Sequence, residues 1–189
     1  GYLRYRAVWL ASGFDRLPTS LRRLLAGSYW QKLPSSARQR SILRQFKRFT
    51  EVLSQPCQRR YLNWIAIFSE ARRAELYSDE FVARLPDQDP LDFLAAAWER
   101  SSRRDPVTAS SLADLVTYLP CDLMTKVDIA SMAHGLECRQ PILDYRVVEL
   151  AARMPLRHKF RPGRGKRILL DTFADLLPKE LLHRGKMGF

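Results

Sequence analysis

The sequence predicts an all-α fold, and three observations support that prediction. Apolar side chains recur with the helical period along most of the chain. An aspartate followed by a proline opens two of these stripes, at Asp89-Pro90 and Asp105-Pro106, where a helix cap and a first helical proline are favoured. No segment alternates polar and apolar residues over a useful strand length. We therefore expect a bundle of helices with no sheet of more than two short strands.

Prolines, glycines and capping residues divide the chain into successive helices. The expected helices, in order, span about residues 1–11, 18–25, 34–53, 58–74, 80–85, 90–101, 106–118, 120–134, 145–154 and 166–177. The helix over 58–74 would bury an aromatic face. Prolines and glycines predict a loop over 155–165. The helix that follows this loop would turn its apolar side chains inward, namely Ile168, Leu169, Phe173 and Leu176.

The segment from Tyr118 to Asp144 has the clearest start and stop signals. Pro120 suits a first helical position, and Gly135 follows the last periodic residue, as a glycine at a helix end does. Glu137 and Arg139 would lie on the same side of the extended piece that comes next. Asp144 then stands where the following helix needs an N-cap.

Composition indicates a single globular domain of a cytoplasmic protein. The chain has 189 residues, of which 46% are hydrophobic and 28% are charged. No apolar run approaches the ~20 residues of a membrane span, and Arg4 and Arg6 interrupt any signal-peptide pattern at the start. The three cysteines are scattered, as reduced structural cysteines are, and no metal site is expected.

The net charge of +12 raises nucleic-acid binding as a hypothesis. The basic residues are spread along the whole chain, and no nucleic-acid fold signature accompanies them. Solvated helix faces explain this distribution better. A basic helical binding module stays open as a non-enzymatic alternative, but we expect no nucleic-acid partner.

The segment Asp122–Asp144 resembles the synthetase domain of glutamine-dependent asparagine synthetases, in which it reads much like D-L-L-x-K-V-D-x-x-S-M-A-x-x-L-E-x-R-x-P-F-L-D. The stretches GRGKRILL (163–170) and LLPKELLHRGKMGF (176–189) resemble the same family in the same order. Three motifs in order are far more specific than one short pattern. The departures are small: Cys121 stands where an acidic residue is common, and Ile142 where Phe is usual.

The resemblance implies a place within a larger enzyme. It implies that residues 1–189 form the helical C-terminal portion of an α/β synthetase domain of the adenine-nucleotide α-hydrolase-like, ATP-pyrophosphatase type. Gly1 and Tyr2 match the end of the family motif G-G-D-E-L-F-G-G-Y, so we expect a truncated chain. The sheet, the S-G-G-x-D-S pyrophosphate loop and the N-terminal glutaminase domain would lie upstream. We expect the isolated chain to be inactive.

The resemblance also implies a reaction. In this family aspartate attacks the α-phosphate of ATP in the presence of Mg²⁺, which gives β-aspartyl-AMP and pyrophosphate, and ammonia released from glutamine then forms the amide. Aspartate, ATP and ammonia are the expected substrates of the full-length enzyme, and neither ATP nor Mg²⁺ is expected to be held by this chain alone. These residues do not determine the acceptor carboxylate. A related amide-forming amidotransferase, β-lactam synthetase-like or peptide-modifying, stays open.

Lys186, within R-G-K-M-G-F, is the candidate catalytic residue. From the residues alone it is a solvated lysine in a frayed tail. The resemblance assigns it the role of the family lysine that acts on the α-phosphate and the intermediate.

Five further residues are expected to support the aspartate and ATP cleft. The resemblance implies that Glu137 and Arg139 form an ion pair bracing the cleft, and that Asp144 is both a helix cap and a supporting residue. It also implies that Lys126 and Asp128 form a structural network on a buried helix. The residues alone indicate only a local surface ion pair and an ordinary cap.

Overall fold

The structure, a computed structural model, describes residues 2–32, 42–161, 164–176, 178 and 180. The chain divides into two compact units, the first over residues 2–138 and the second from residue 139 onward.

The first unit is built from helices and turns. Its α-helices are α1 (Leu3–Phe14), α2 (Thr19–Leu25), α3 (Ile42–Glu51), α4 (Cys57–Ile65), α5 (Glu70–Leu76), α6 (Asp79–Ala83), α7 (Pro90–Glu99), α8 (Pro106–Val116) and α9 (Thr125–Met132). A 3₁₀ turn spans Ser28–Lys32, and a π-helical turn spans Leu119–Met124. No β-strand occurs among its described residues.

The second unit contains shorter elements. They are a 3₁₀ turn at Pro141–Leu143, α10 (Tyr145–Arg153), α11 (Leu156–Lys159), β1 (Phe160–Arg161), β2 (Arg164–Gly165), α12 (Arg167–Thr172) and a 3₁₀ turn at Ala174–Leu176. The two strands are antiparallel, with Phe160 opposite Gly165 and Arg161 opposite Arg164. The predicted all-α fold and the limit of two short strands are therefore confirmed for the part of the chain described.

The predicted Asp-Pro helix starts are confirmed. The Asp89 carboxylate accepts a hydrogen bond from the Leu91 N–H at 2.9 Å, and the Asp105 carboxylate accepts one from the Thr108 N–H at 2.9 Å. Each aspartate precedes a proline at the first helical position, where the missing N–H leaves no bond unmade.

The predicted single helix over 58–74 is wrong, because it is two helices. The backbone is extended at Ala66 (ψ 135°) and at Ser69 (ψ 162°). The Ser69 hydroxyl accepts a hydrogen bond from the Arg72 N–H at 3.4 Å, which starts α5 afresh. Serine competes for backbone N–H groups and so favours a new helix start over a continued helix.

Two other expectations differ from the structure. The predicted loop over 155–165 contains α11 and the β1–β2 pair, since a helical turn of four residues and two-residue strands fit between its prolines and glycines. The apolar side chains expected to face inward on the last helix are exposed: Ile168 38%, Leu169 43%, Phe173 43% and Leu176 76%. The described elements of the second unit are too few and too short to enclose them. Residues 34–41 and 177 of the predicted helices lie outside the described residues.

The hydrophobic core of the first unit lies where α1, α4, α7 and α8 meet. Its buried side chains include Val8, Ala11, Tyr61, Leu94, Trp98, Val107, Ala109 and Ala113. The rings of Tyr61 and Trp98 meet edge to face, with centroids 5.5 Å apart. Such aromatic pairs add to the stabilisation from buried area.

A polar cluster lies within this core, and we call Asp114, Arg4, Tyr5 and Tyr61 the Asp114 cluster. Asp114 Oδ2 accepts hydrogen bonds from Arg4 Nη2 at 2.8 Å, from the Tyr5 hydroxyl at 2.5 Å and from the Tyr61 hydroxyl at 2.6 Å. The side chains of Arg4 and Asp114 are 13% and 7% exposed. A buried carboxylate requires such partners, because an unpaired charge in the core is very costly.

A second ion pair, between a buried arginine and an aspartate whose side chain is 34% exposed, fixes the end of α1. Arg60, which is 1% exposed, donates to both Asp15 carboxylate oxygens at 2.7 and 2.5 Å. The same guanidinium donates to the carbonyls of Leu53 at 3.2 Å and Gln55 at 3.1 Å. Arg60 therefore joins α1, α4 and the turn after α3.

The tyrosines of the Asp114 cluster stay protonated well into alkaline solution. Burial, followed by the nearby Asp114 charge, raises the pKa of Tyr5 and of Tyr61 well above the ordinary tyrosine value. A group whose pKa is higher in the folded state contributes stability that is present below its unfolded pKa. That stability is lost as the pH rises through the unfolded value of about 10 toward the folded value.

We expect Tyr61→Phe to lower the free energy of unfolding at pH 7 by about 1.5–3 kcal/mol, the range for a hydrogen bond to a charged group. The variant should also lose stability less steeply than the wild type above pH ~10, because one raised tyrosine pKa is gone. Urea unfolding measured between pH 7 and 11 checks both expectations.

Tyr29→Phe is the matched control, since the Tyr29 hydroxyl donates to the Leu24 carbonyl at 2.6 Å in an exposed position. It should cost less than Tyr61→Phe. Equal losses of unfolding free energy in the two variants would show that the buried hydrogen bond to Asp114 stabilises the protein no more than an exposed one.

Candidate functional site

The segment after α8 starts with a π-helical turn rather than the continuous α-helix predicted from Pro120. Thr117 leaves the helical conformation (φ −123°, ψ −80°), and its hydroxyl donates back to the Ala113 carbonyl at 2.7 Å. The Thr125 hydroxyl donates to the Pro120 carbonyl at 2.8 Å. Pro120 has no N–H for a regular helical bond, which helps to explain the break. Such π-helical turns are rare and often occur at functional sites.

The end of α9 matches the prediction at Gly135. Gly135 has φ +66°, its N–H donates to the Met132 carbonyl at 3.0 Å, and the Leu136 N–H donates to the Ser131 carbonyl at 3.1 Å. These two bonds form a Schellman motif, in which a left-handed glycine satisfies the last carbonyls of a helix. The predicted C-terminal glycine is therefore confirmed.

Lys126 and Asp128 lie on α9, which is exposed in the unit described. The buried structural network expected for them within a larger synthetase domain stays a prediction. Both residues are exposed, and neither side chain forms an ion pair with another described residue. The apolar residues Ile129, Met132 and Leu136 are 65%, 56% and 61% exposed. Within the described part of the first unit, α9 packs mainly against the π-helical turn that precedes it, which leaves these side chains exposed.

Glu137 and Arg139 follow Gly135 in a stretch without regular secondary structure, and both are exposed. Glu137 belongs to the first unit and Arg139 to the second. The ion pair between them stays a prediction.

Asp144 is confirmed as the N-cap of α10. Its Oδ1 accepts hydrogen bonds from the Arg146 N–H at 2.9 Å and from Arg146 Nε at 2.9 Å, and its Oδ2 accepts one from Arg146 Nη2 at 2.9 Å. The Arg146 side chain, and then its backbone N–H, hold the pKa of Asp144 below the ordinary aspartate value. Asp144 is therefore ionised at neutral pH, and its carboxylate is engaged by Arg146.

Sequence reasoning missed Arg146, although the Asp-Tyr-Arg order at the helix start was a usable signal. Lys186, the candidate catalytic residue, lies outside the described residues, so its position and role stay a prediction.

The described residues contain no group of three or more His, Cys, Asp or Glu side chains that could hold a metal ion. No described helix is long and apolar enough to cross a membrane.

Sequence reasoning also missed a stacked arginine beside the segment. The Arg4 guanidinium lies 4.3 Å from the Tyr2 ring centroid and 4.5 Å from that of Tyr118. We call Tyr2, Arg4 and Tyr118 the arginine stack. The Tyr-Leu-Arg-Tyr order at the chain start was its only local signal, and the distant partner Tyr118 could not be read from it.

Comparisons with known proteins agree on one family. The sequence model of the asparagine synthase family matches residues 1–189. A Mycobacterium tuberculosis (strain H37Rv) protein named asparagine synthetase (glutamine-hydrolyzing) is 32% identical over 189 residues, which are 100% of this chain and 27% of that protein. Asparagine synthetase (glutamine-hydrolyzing) 1 of Bacillus subtilis is 28% identical over 189 residues, 100% of this chain and 28% of that protein.

A rat asparagine synthetase (glutamine-hydrolyzing) is 40% identical over 67 residues, which are 34% of this chain and 12% of that protein. The chain thus spans little more than a quarter of the bacterial relatives, in their C-terminal part. No solved structure matches the chain significantly.

We expect Gly135→Ala to destabilise the protein by about 1–2 kcal/mol, the cost of a left-handed conformation for a residue with a side chain. The cost should be conformational alone, because an added Cβ would meet nothing within 4 Å. Urea unfolding measures the change.

Gly13→Ala is the matched control with the opposite expected sign. An added Cβ at Gly13 also meets nothing within 4 Å, and Gly13 lies in α1, where alanine is favoured over glycine by up to ~1 kcal/mol. If Gly135→Ala were neutral or stabilising, the left-handed cap would not matter to stability.

Proposed function

This chain belongs to the asparagine synthase family, and from that membership we propose that it serves the ATP-dependent, glutamine-using synthesis of asparagine. The match of the family over the whole chain carries the proposal. The named bacterial relatives, which the chain matches from end to end, support it.

We propose two half-reactions. A carboxylate oxygen of aspartate attacks the α-phosphorus of ATP, the bond to the β-phosphate oxygen breaks, and β-aspartyl-AMP and pyrophosphate form. Ammonia derived from glutamine then attacks the activated carbonyl and releases AMP. Mg²⁺ would accompany ATP, and since the described residues offer no metal cluster, we assign no step on this chain to it.

We further propose that the chain is the helical C-terminal part of the synthetase domain of a longer enzyme. Its span of about a quarter of the bacterial relatives supports this placement. The exposed apolar side chains of α9 also support it, since a helix that carries Ile129 and Met132 at 65% and 56% exposure is better covered by further protein. The phosphate loop and the glutaminase site would then lie in the rest of that enzyme, and the chain alone would not catalyse.

The described residues suit supporting roles in such a site. Lys126 and Asp128 are exposed on a short helix that ends at Gly135, so their charges are accessible to a partner segment or substrate. Asp144 is occupied by Arg146, and this pair would keep the start of α10 rigid beside the cleft. Direct chemistry falls to Lys186.

Lys186 is proposed to act on the charge that develops at the α-phosphate. Only a contact that is stronger in the transition state than in bound ATP lowers the barrier. A compact ammonium in a glycine-flanked segment can approach phosphate oxygens closely.

Two other functions remain as alternatives. A β-lactam synthetase-like or peptide-modifying amidotransferase would share the adenylating chemistry but would release pyrophosphate with a different carboxylate. A basic helical binding module, suggested by the net charge of +12, would release none. Pyrophosphate release from ATP by the complete enzyme, compared between aspartate and other carboxylates, separates the three.

We expect the complete enzyme to release pyrophosphate with aspartate, and Lys186→Ala to lower kcat for this step by ~10²–10³-fold, the range for loss of one preorganised charge-stabilising donor. Lys186→Arg should restore little activity, because a planar guanidinium does not replace a compact ammonium. Glutamine hydrolysis should continue, since another domain performs it.

Lys179→Ala controls for general loss of positive charge. It should leave pyrophosphate release near the wild-type rate. The role proposed for Lys186 would fail if Lys186→Ala stayed within about threefold of wild type, which is under ~1 kcal/mol of barrier, or if Lys179→Ala were equally damaging.

A further inference from the structure

The arginine stack places one cation at the junction between the core and the candidate site. Arg4 reaches from α1 to Asp114 on α8, with Nη2 2.8 Å from the carboxylate. Its guanidinium also lies against the rings of Tyr2 and Tyr118, 4.3 and 4.5 Å from their centroids, and these two rings meet edge to face with centroids 6.2 Å apart. Tyr118 immediately precedes the π-helical turn Leu119–Met124. One side chain thus contacts both the core carboxylate and the residue that starts the turn.

The ion pair alone does not explain this arrangement. A lysine could pair with Asp114, but its compact ammonium could not also reach both aromatic rings as the broad guanidinium does. The stack orients the Tyr118 ring as well as neutralising the carboxylate. Tyr118, at the start of the π-helical turn, is thus contacted by Arg4 as well as by the Tyr2 ring.

The π-helical turn determines the direction in which the side chains of α9 point. A π-turn holds one residue more than an α-helical turn over the same stretch. If it relaxed to α-helix, every residue of α9 would rotate by about 100° around the helix axis and move by about 1.5 Å along it. Lys126 and Asp128 would then face a different direction.

We propose that Arg4 is a positioning residue for residues 119–138: through Tyr118 it holds the π-helical turn and so sets the direction of Lys126 and Asp128. This role in catalysis rests on the proposed function, which places α9 at the synthetase cleft. Arg4 itself need not touch a substrate.

Hydrogen exchange on the 189-residue protein tests the structural half of the proposal. Arg4→Lys keeps a charge for Asp114 but loses the stack, and Tyr118→Leu loses the stack without changing the ion pair. Both variants should raise the exchange rates of amides in 121–132 by about tenfold, the size expected for loss of a stacked cation. Amides of α7 should exchange at wild-type rates.

Arg6→Lys is the matched control, because Arg6 is exposed on the same helix. It should change neither set of amides. Equal acceleration of α7 and 121–132 in Arg4→Lys would indicate a global loss of stability and overturn the proposal, as would wild-type exchange in both regions. Tyr118→Leu provides the answer if Arg4→Lys fails to fold.

Kinetics of the complete enzyme test the catalytic half. Both variants should lower kcat for aspartate-dependent pyrophosphate release by about tenfold with little change in the KM for ATP, and leave glutamine hydrolysis intact. The double variant should be no slower than the slower single variant, because both remove the same stack. Additive losses, or unchanged kcat despite faster exchange in 121–132, would overturn the positioning role.

The two arms separate this inference from the proposed function. If the wild-type enzyme releases no pyrophosphate with aspartate or any other carboxylate, the proposed function fails, and the catalytic role of Arg4 fails with it. The exchange measurement still decides whether Arg4 holds the π-helical turn.

Discussion

One buried carboxylate organises the first unit. Asp114 on α8 accepts hydrogen bonds from α1 through Arg4 and Tyr5 and from α4 through Tyr61. A carboxylate with so little access to water is tolerated only because a cation and two hydroxyls bond its Oδ2. Three helices distant in sequence must therefore meet in one arrangement for the charge to be satisfied, and the apolar core packs around that arrangement.

The candidate site is connected to the Asp114 cluster through Arg4. The arginine stack extends the Asp114 cluster to Tyr118, and the π-helical turn after it carries α9 away from the core. The Schellman motif at Gly135 then ends α9 and releases the chain toward Glu137. The core of the unit is thus held together by buried polar contacts. Helix α9 lies outside this core, and both its charged and its apolar side chains are exposed. Such a helix suits a role completed by further protein.

The sequence predicted those features that depend on neighbouring residues. Asp89 and Asp105 cap helices because the signal is complete within two residues, and Gly135 and Asp144 were recognised for the same reason. The break between α4 and α5 was missed, since the helical period continues across Ser69 while its hydroxyl starts a new helix.

The Asp114 cluster could not be predicted, because its members lie far apart in sequence. Arg4 and Asp114 are separated by 110 positions, and Tyr61 and Asp114 by 53. A polar residue on a helix is usually solvated, so nothing local marked these as buried. The expected burial of Lys126 and Asp128 came from resemblance to longer proteins, and the first unit alone does not supply a covering surface. Lys186 and the Glu137–Arg139 pair stay predictions.

A double-mutant cycle on the buried ion pair tests most directly whether this carboxylate organises the fold. Arg4→Met and Asp114→Leu each leave one buried charge without its partner, so each should cost about 3–5 kcal/mol in urea unfolding. The double variant removes both charges, and the account predicts that it costs less than the sum of the singles by at least ~1.5 kcal/mol. Single costs that add to within ~0.5 kcal/mol would show that the two residues do not depend on each other. That result would contradict the account.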